Sequence, residues 1–403
     1  MTLLCAPVKQ FKQSEKVDLI ETIDKTLYQQ GRPRYVDVDW KTPVLPPGDV
    51  IVSYHNYEET PDLEAVLKIL QQAHPKAHFY KIATMATSTL DSLRMLDFLQ
   101  KHPKIIGLCM GELGAITRIS APIFHVPIMY APLCEEDINA PGQIIVDQLQ
   151  EIYHFSQLNP ETKIFGLIGD PVHRSPGHLY HNDVFRKKTR NGVYVKMVVR
   201  PSELSDFIDF SKKLPFGGLS VTAPLKEAVI PFLDEIDPTA RDQGAINTLV
   251  FKKGKIFGYN TDGDAALDVL SDVIHKTIVI LGAGGAAKAI AYSAVQRKAE
   301  VVIVNRTADK ARSLAESLGC GWSQTIPKYD ILINATSVSM PIDEDDLVQG
   351  KTVMEIALYE TEFLKAARRK GCQAIDGMPM YLKQAAAQQE LWFDTFQSNR
   401  RCC

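Results

Sequence analysis

The chain has 403 residues, enough for two or three domains, with 45% hydrophobic residues, 23% charged residues and a formal net charge of −3. No basic excess points to nucleic acid, and no run of about 18 uninterrupted apolar residues predicts a membrane span. The start of the chain has too few apolar residues for a signal peptide. The seven cysteines form no Cys-x-x-Cys pair, which indicates neither a metal site nor a disulfide framework and favours a cytoplasmic protein with reduced thiols.

Residues 1–157 alternate between β-rich and helical stretches. The predicted strands are Leu3–Val8, Tyr35–Asp39, Val50–His55, His78–Ala83, Lys104–Met110 and Pro127–Leu133. The predicted helices are Ser14–Gln29, Pro61–Ala73, Ser88–Gln100 and Gln143–Phe155. Repeated βα units predict an α/β fold with a parallel sheet, open or closed into a barrel. The six units are fewer than the eight of a closed (β/α)8 barrel.

Polar residues gather at the C-terminal ends of these strands, where the active sites of barrels lie. His55 ends one apolar run, Arg118 follows another, and Lys81 lies inside a third. Burial lowers the pKa of a lysine and makes the neutral amine available as a Schiff-base nucleophile. A lysine that reaches solvent from a strand edge is the structural alternative.

Four segments resemble the type I 3-dehydroquinate dehydratases, a family of (β/α)8 barrels. They are Ser53-Tyr-His55-Asn-Tyr57, Lys81-Ile-Ala-Thr-Met85, Met110-Gly111 with Arg118, and Ala140-Pro-Gly-Gln143. The resemblance implies dehydration of 3-dehydroquinate to 3-dehydroshikimate through an imine on Lys81, with His55 as general acid and base. It also implies that Arg118 holds the substrate carboxylate and that Gln143 closes over the substrate.

This half also departs from the family pattern. The family's first two βα units have no counterpart before Met1, so about 60–70 residues of the barrel are expected to be absent. Ala6 stands where the family has an arginine, Gln10 where it usually has a glutamate, and Asn139 where it usually has a serine. The sequence therefore predicts an incomplete TIM-type barrel, either a fragment or a degenerate module that self-associates through its open edge.

Two polar motifs after residue 163 point to a second site. The segment Val221-Thr-Ala-Pro224-Leu-Lys226 is predicted to run from a strand into a helix that has Pro224 at its first position and Lys226 in its first turn. Asp262 ends the segment Gly258-Tyr-Asn-Thr-Asp262. A lysine and an aspartate in one crevice beside a nicotinamide can transfer protons during hydride transfer. A structural ion pair is the alternative.

The stretch from Thr277 to Thr307 predicts a dinucleotide site. An apolar strand enters the loop Gly282-Ala283-Gly284-Gly285-Ala286, and an Ala-rich helix and a second strand follow. Glycines in this position permit a tight turn and let backbone amides approach a pyrophosphate at the helix N-terminus. An ordinary glycine turn is the alternative.

The end of the second strand favours NADP(H) over NAD(H). An acidic residue would bind the NAD ribose there, but this chain has Asn305-Arg306-Thr307. Arg306 offers a planar fork of donors suited to a phosphate, and Thr307 adds a hydroxyl. An arginine that is only solvated at a strand end is the alternative.

Several ordered motifs between Lys163 and Trp392 resemble the shikimate dehydrogenases. Besides the segments above they include Gly244-Ala-Ile-Asn247-Thr248, Asn334-Ala-Thr336 and Gly377-Met-Pro-Met380 with Gln384. The resemblance implies NADPH reduction of 3-dehydroshikimate to shikimate, with Lys226 and Asp262 as the acid/base pair. Substrate contacts are implied for Ser175, Thr222, Asn247 and Gln384, and cofactor contacts for Gly282–Ala286, Asn305–Thr307, Thr336 and Gly377.

The dehydrogenase half has its own departures. Ser175-Pro176-Gly177 lacks the second serine of the family's Ser-x-Ser, and Arg174 stands where a histidine is common.

Four regions are expected, which are the partial barrel (1–157), a substrate-binding domain (163–262), a Rossmann-type NADP domain (263–376) and a C-terminal helix that returns to the substrate domain (377–395).

The best interpretation is a fusion of the two enzyme types, of the kind found in plants and some bacteria. The loop around Ser175 most resembles that of the chlamydial fusions. Its expected partners are small-molecule substrates. Two alternatives remain open. One is a quinate/shikimate dehydrogenase with an inactive structural barrel, and the other is a non-enzymatic nucleotide-binding regulator derived from such a fusion.

Overall fold

A computed structural model of the chain describes residues 2–5, 28–29, 32–33, 35–270 and 272–393. Residues 14–27 of the first predicted helix lie outside this range, as do Ala6, Gln10 and residues 394–395. The chain forms two compact units, residues 1–172 with 176–217 and residues 173–175 with 218–403. Within the described residues, no helix has the length and apolar character needed to cross a membrane.

The first unit consists mainly of parallel strands with helices between them. Its strands are β1 (Thr2–Cys5), β2 (Tyr28–Gln29), β3 (Arg32–Pro33), β4 (Tyr35–Asp39), β5 (Asp49–Asn56), β6 (Phe79–Met85), β7 (Ile106–Met110), β8 (Ile128–Ala131), β9 (Lys163–Gly169) and β10 (Gly192–Val198). Its helices are α1 (Leu63–Ala73), α2 (Thr89–Lys101), α3 (Ala115–Ile119), α4 (Val146–Glu151), α5 (Gly177–Lys187) and α6 (Leu204–Lys213). The predicted parallel α/β character is confirmed.

Within the described residues, the barrel strands form two groups. Strands β4, β5, β6 and β7 make a four-stranded parallel sheet in that order, and β1 pairs with β8 in parallel. The register places Ser53 opposite Lys81. Apolar residues of α1 recur with helical spacing and are buried, and Asp62 caps its first turn by accepting from the backbone of Glu64 and Ala65.

The second unit contains a Rossmann-type sheet of six strands and four strands of a mixed sheet. Its strands are β11 (Phe216–Val221), β12 (Glu235–Ile236), β13 (Thr248–Lys252), β14 (Lys255–Tyr259), β15 (Thr277–Leu281), β16 (Glu300–Val304), β17 (Gly321–Ser323), β18 (Ile331–Asn334), β19 (Thr352–Glu355) and β20 (Gln373–Ile375). Its helices are α7 (Leu225–Ala228), α8 (Pro238–Gln243), α9 (Asp262–Leu267), α10 (Gly285–Gln296), α11 (Ala308–Leu318), α12 (Glu362–Arg369) and α13 (Met378–Phe393). The first two residues of β11 belong to the first unit.

The nucleotide-domain sheet is parallel throughout, in the order β17-β16-β15-β18-β19-β20. This is the strand order of a dinucleotide-binding fold, in which successive strands are added first on one side and then on the other side of the first strand, here β15. Strand β15 has the predicted bounds because its apolar, β-branched residues are buried between helices on both faces of the sheet.

Three local predictions were wrong. The helix expected over 143–155 is only Val146–Glu151, because His154 has a left-handed backbone and the side chain of Gln143 folds back onto the preceding loop. Tyr28–Gln29 is not helical but pairs with Arg32–Pro33 as a short antiparallel ladder. Pro224 is the N-cap of α7 and not its first helical residue.

Candidate active sites

Lys226 and Asp262 lie side by side in the second unit. Lys226 is in the first turn of α7, shortly after β11, and Asp262 is the first residue of α9. The ammonium nitrogen of Lys226 donates to Oδ2 of Asp262, and the side chains are 16% and 7% exposed. The structure thus brings together the two residues predicted to form the acid/base pair, in an environment largely shielded from water.

Two further predicted residues, Asn247 and Gln384, join this pair. The Asn247 amide nitrogen donates to Oδ1 of Asp262 at 2.8 Å and lies 3.5 Å from Oε1 of Gln384. Within the described residues, no hydrogen bond connects the side chain of Thr222 to this cluster, and Ser175 is half-buried in the same unit. Lys226, Asp262, Asn247 and Gln384 therefore form the polar cluster of the second unit.

The glycine loop between β15 and α10 lies against Lys226. A Cβ on Gly285 would stand 3.0 Å from Cβ of Lys226, so the absence of a side chain permits this approach. Gly282 has φ +115°, which favours glycine, and a Cβ on Gly284 would meet no atom of the described residues within 4 Å. No side chain of the described residues caps the first turn of α10, which begins at Gly285 directly after this open position.

The turn after β16 presents an available guanidinium. Arg306 and Thr307 are exposed, and the Asn305 amide holds the turn by donating to the carbonyl of Thr307 at 3.0 Å. Within the described part of the chain, no hydrogen bond or ion pair engages Arg306. The guanidinium that the sequence predicted to bind a phosphate is therefore available for that contact.

Thr336 and Gly377 occupy two loops at the ends of the nucleotide-domain strands. Oδ1 of Asn334 accepts from the backbone and hydroxyl of Thr336, which fixes that loop. Gly377 lines a cavity of about 190 Å³, together with residues 357–360, Leu364, Arg368, Asp376 and Met378. A Cβ on Gly377 would lie 2.4 Å from the carbonyl oxygen of Ala357, so only glycine fits there.

The first unit holds its own lysine cluster. Lys81 Nζ donates to Oδ2 of Asp37 at 2.8 Å and lies 4.4 Å from the centre of the Tyr130 ring. Asp37 also accepts from the Ser53 hydroxyl, and the side chains of Lys81 and Asp37 are 13% and 7% exposed. Sequence reasoning missed Asp37, although a charged residue inside the strand Tyr35–Asp39 was a signal that could have found it.

His55 lies near the end of β5, the strand that pairs with the Lys81 strand. Burial, and to a lesser degree the charge of Lys81, lowers the pKa of His55 to about 4. Its ring is stacked with that of Tyr57 at 6.1 Å between centroids. The imidazole is therefore neutral near pH 7 and can accept a proton.

Arg118 is a buried cation without a protein partner among the described residues. It lies on α3, only 3% of it is exposed, and its Nε has no hydrogen-bond acceptor. Desolvation lowers the pKa of its guanidinium to about 10. Gln143 is not joined to Arg118 or Lys81 in the described structure, because its side-chain oxygen accepts from the backbone of Asn139 and Ala140.

Three family models match the chain in sequence order. They are type I 3-dehydroquinase over residues 8–160, the shikimate dehydrogenase substrate binding domain over residues 167–249, and shikimate/quinate 5-dehydrogenase over residues 264–356. Together with the fold, they define a dehydratase-type module fused to a dinucleotide-dependent dehydrogenase.

Relatives of similar arrangement are known. The shikimate biosynthesis protein AroDE of Chlamydia pneumoniae is 33% identical over 98% of this chain and 86% of its own length. The chloroplastic bifunctional 3-dehydroquinate dehydratase/shikimate dehydrogenase of Arabidopsis thaliana is 35% identical over 85% of this chain, which spans 63% of the plant protein. The chain therefore belongs to the family of bifunctional 3-dehydroquinate dehydratase/shikimate dehydrogenases.

The second half also resembles solved structures. The shikimate dehydrogenase of Thermus thermophilus in complex with NADP(H) and shikimate superposes with a TM-score of 0.54 and 29% identity. The match covers 58% of this chain and 94% of that chain.

Proposed function

We propose that this chain catalyses two consecutive reactions, the dehydration of 3-dehydroquinate to 3-dehydroshikimate and the reduction of 3-dehydroshikimate to shikimate with NADPH. The observation that carries the proposal is the cluster of Lys226, Asp262 and Asn247 beside the glycine loop of α10. A buried acid/base pair next to a dinucleotide loop suits a carbonyl reduction coupled to proton transfer.

The residues of the nucleotide domain fit NADP(H). The uncapped amides of α10 and the open position at Gly284 suit a pyrophosphate, which helix N-termini bind through backbone N–H groups. Arg306 and Thr307 suit the 2′-phosphate, and Asn305 holds their turn. Thr336 and Gly377 are proposed to border the nicotinamide. When bound, NADPH supplies the hydride that reaches the carbonyl carbon.

The chain's own residues manage the proton and the orientation of the substrate. Lys226 donates a proton to the carbonyl oxygen as it becomes a hydroxyl, and Asp262 balances the ammonium charge. Asn247 and Gln384 hold ring hydroxyls next to this pair, and Ser175 and Thr222 are proposed to hold the carboxylate. Shielding from water strengthens each of these interactions.

In the first unit, the side-chain amine of Lys81 is proposed to condense with the ketone and release water. His55 takes a proton from the carbon next to the resulting imine and returns a proton to the departing hydroxyl, which leaves as a second water. Hydrolysis of the imine then frees the ketone product. The buried guanidinium of Arg118 is proposed to supply the positive charge that binds the substrate carboxylate. Gln143 is proposed to close over the site once its side chain releases the loop backbone that it now contacts.

Initial rates with shikimate or quinate, each with NADP⁺ or NAD⁺, test the dehydrogenase assignment. We expect shikimate with NADP⁺ to give the highest kcat/KM. A higher value for quinate would favour the quinate dehydrogenase alternative, and binding of NADP⁺ without turnover of either acid would favour the nucleotide-binding regulator.

The bounds of the four domains, the cytoplasmic location and self-association through the barrel edge stay predictions.

A further inference from the structure

A line of hydrogen bonds connects the C-terminal helix with the Lys226–Asp262 pair. Gln388 is on α13 and only 1% of it is exposed. Its Nε2 donates to the Thr248 hydroxyl at 2.9 Å, and that hydroxyl donates to Oδ1 of Asn247 at 2.6 Å. Nδ2 of Asn247 then donates to Asp262 at 2.8 Å. The catalytic pair is thus joined to a buried glutamine on another element.

Backbone groups determine the direction of every bond in this line. The backbone N–H of Thr261 donates to the side chain of Asn247 at 3.0 Å, so the contacted atom must be Oδ1 and the NH₂ group must face Asp262. Gln388 Nε2 lies 3.0 Å from the carbonyl of Asn247, which can only accept. The Thr248 hydroxyl therefore accepts from Gln388 and has its own proton available for Asn247.

The orientation of Asn247 matters because a carboxylate can only accept hydrogen bonds. With its amide reversed, Asn247 would present an oxygen to Asp262, and two acceptors would face each other in a largely buried site. We propose that Thr248 and Gln388 are positioning residues of the dehydrogenase reaction, which act with the backbone N–H of Thr261 to hold the Asn247 amide so that it donates to the carboxylate paired with Lys226. This inference rests on the dehydrogenase function proposed above.

The docking of α13 supports the same role for Gln388. Gln384, Gln388 and Trp392 are one turn apart and share a helix face. Trp392 Nε1 donates to the carbonyl of Leu249 at 3.0 Å, and a Cβ on Gly218 would stand 2.2 Å from the indole. These contacts allow one helix register, which places Gln384 beside Asn247.

Steady-state shikimate oxidation by the full chain, with separate KM values for shikimate and NADP⁺, tests the proposal. Thr248→Val keeps the shape but removes the hydroxyl, and we expect kcat to fall roughly tenfold or more, as for a lost hydrogen bond in a charged network. We also expect a raised shikimate KM and an NADP⁺ KM within about twofold of the wild type. The matched Thr248→Ser variant keeps the hydroxyl and should recover most of the activity.

A merely structural role would lower the unfolding temperature of Thr248→Val and leave kcat and the shikimate KM unchanged in the folded protein. That result would overturn the proposal. If Thr248→Val does not fold, Gln388→Met gives the same test from the other end of the line, with an expected fall in kcat/KM of about threefold to tenfold. Unchanged kinetics in a folded Gln388→Met would also refute it. A wild-type chain without turnover of shikimate would instead contradict the proposed function.

Discussion

The two lysine sites differ in whether the protein itself supplies a partner for each buried charged group. Around Lys226, the Asp262 carboxylate and the Asn247 amide have their partners within the protein, in a line that continues to Gln388. In the first unit, Asp37 supplies a carboxylate to Lys81, and the buried guanidinium of Arg118 on α3 has no partner among the described residues. The proposed dehydrogenase site is pre-organised by the protein, whereas the proposed dehydratase residues include an unpaired cation that a substrate carboxylate would neutralise.

The largest expected effect separates the two lysines. Lys81→Met should abolish the covalent adduct that borohydride traps with 3-dehydroquinate, because no imine can form, while shikimate oxidation remains at the wild-type rate. Mass spectrometry of the treated protein measures the adduct. Lys68→Met, on the exposed face of α1, is the matched control and should still be trapped. An adduct that persists in Lys81→Met would assign the nucleophile to another residue.

Lys226→Met makes the reciprocal test. We expect kcat for shikimate oxidation to fall by about 10²–10⁴, the usual contribution of a general acid or base, with dehydration unaffected. Lys288→Met serves as the control, since Lys288 pairs with Glu227 at a more exposed position. Full NADPH oxidation with 3-dehydroshikimate by Lys226→Met would show that the pair is only structural.

Arg118→Met tests the contrast between charged groups that are paired within the protein and a buried cation that has no partner among the described residues. The KM for 3-dehydroquinate should rise by roughly 100-fold, because a charge-assisted bond to the carboxylate is lost. The unfolding temperature should not fall, because the change removes a buried cation that has no partner within the described structure. A large loss of stability with an unchanged KM would identify Arg118 as a structural residue.

Arg306→Ala tests the cofactor assignment. We expect the KM for NADPH to rise about tenfold while the KM for NADH stays the same, because only the 2′-phosphate contact is lost. Arg312→Ala, which removes a guanidinium 4.8 Å from the Trp322 ring, is the control on the following helix. Equal effects of Arg306→Ala on both cofactors would exclude a phosphate-specific role.

The smallest expected effect near neutral pH concerns His55. Its pKa is about 4 in the folded protein and about 6.5 in the unfolded chain, so the unfolded chain binds more protons between these values. The free energy of unfolding should therefore fall as the pH drops from about 6.5 to about 4, by at most about 1 kcal/mol per pH unit from this residue, and should not change above that range. Urea unfolding of His55→Asn should show a correspondingly shallower loss. An equal loss of unfolding free energy in the variant would contradict the lowered pKa of the His55 imidazole.

The sequence predicted the parts of this molecule that depend on local patterns. The apolar run of β15 and the glycine loop could be predicted from their own sequence pattern. The polar motifs of Lys226 and Asp262 could also be predicted, because they follow β11 and β14, two strands of one sheet that run in the same direction and end at the same edge. Asp37 and Gln388 were not. Asp37 meets Lys81 across 44 positions and Gln388 meets Thr248 across 140, so only the tertiary register brings them together. The Gln-rich face of α13 gave no hydrophobic periodicity from which its buried side could be predicted.

The most direct test of the account follows NADPH absorbance with the purified full chain and 3-dehydroquinate, with 3-dehydroshikimate as a parallel reaction. The account predicts NADPH consumption with both substrates, because the first site forms the ketone that the second site reduces. Consumption with 3-dehydroshikimate alone would contradict the dehydratase assignment of Lys81 and His55. No consumption with either substrate would contradict the function of the whole chain.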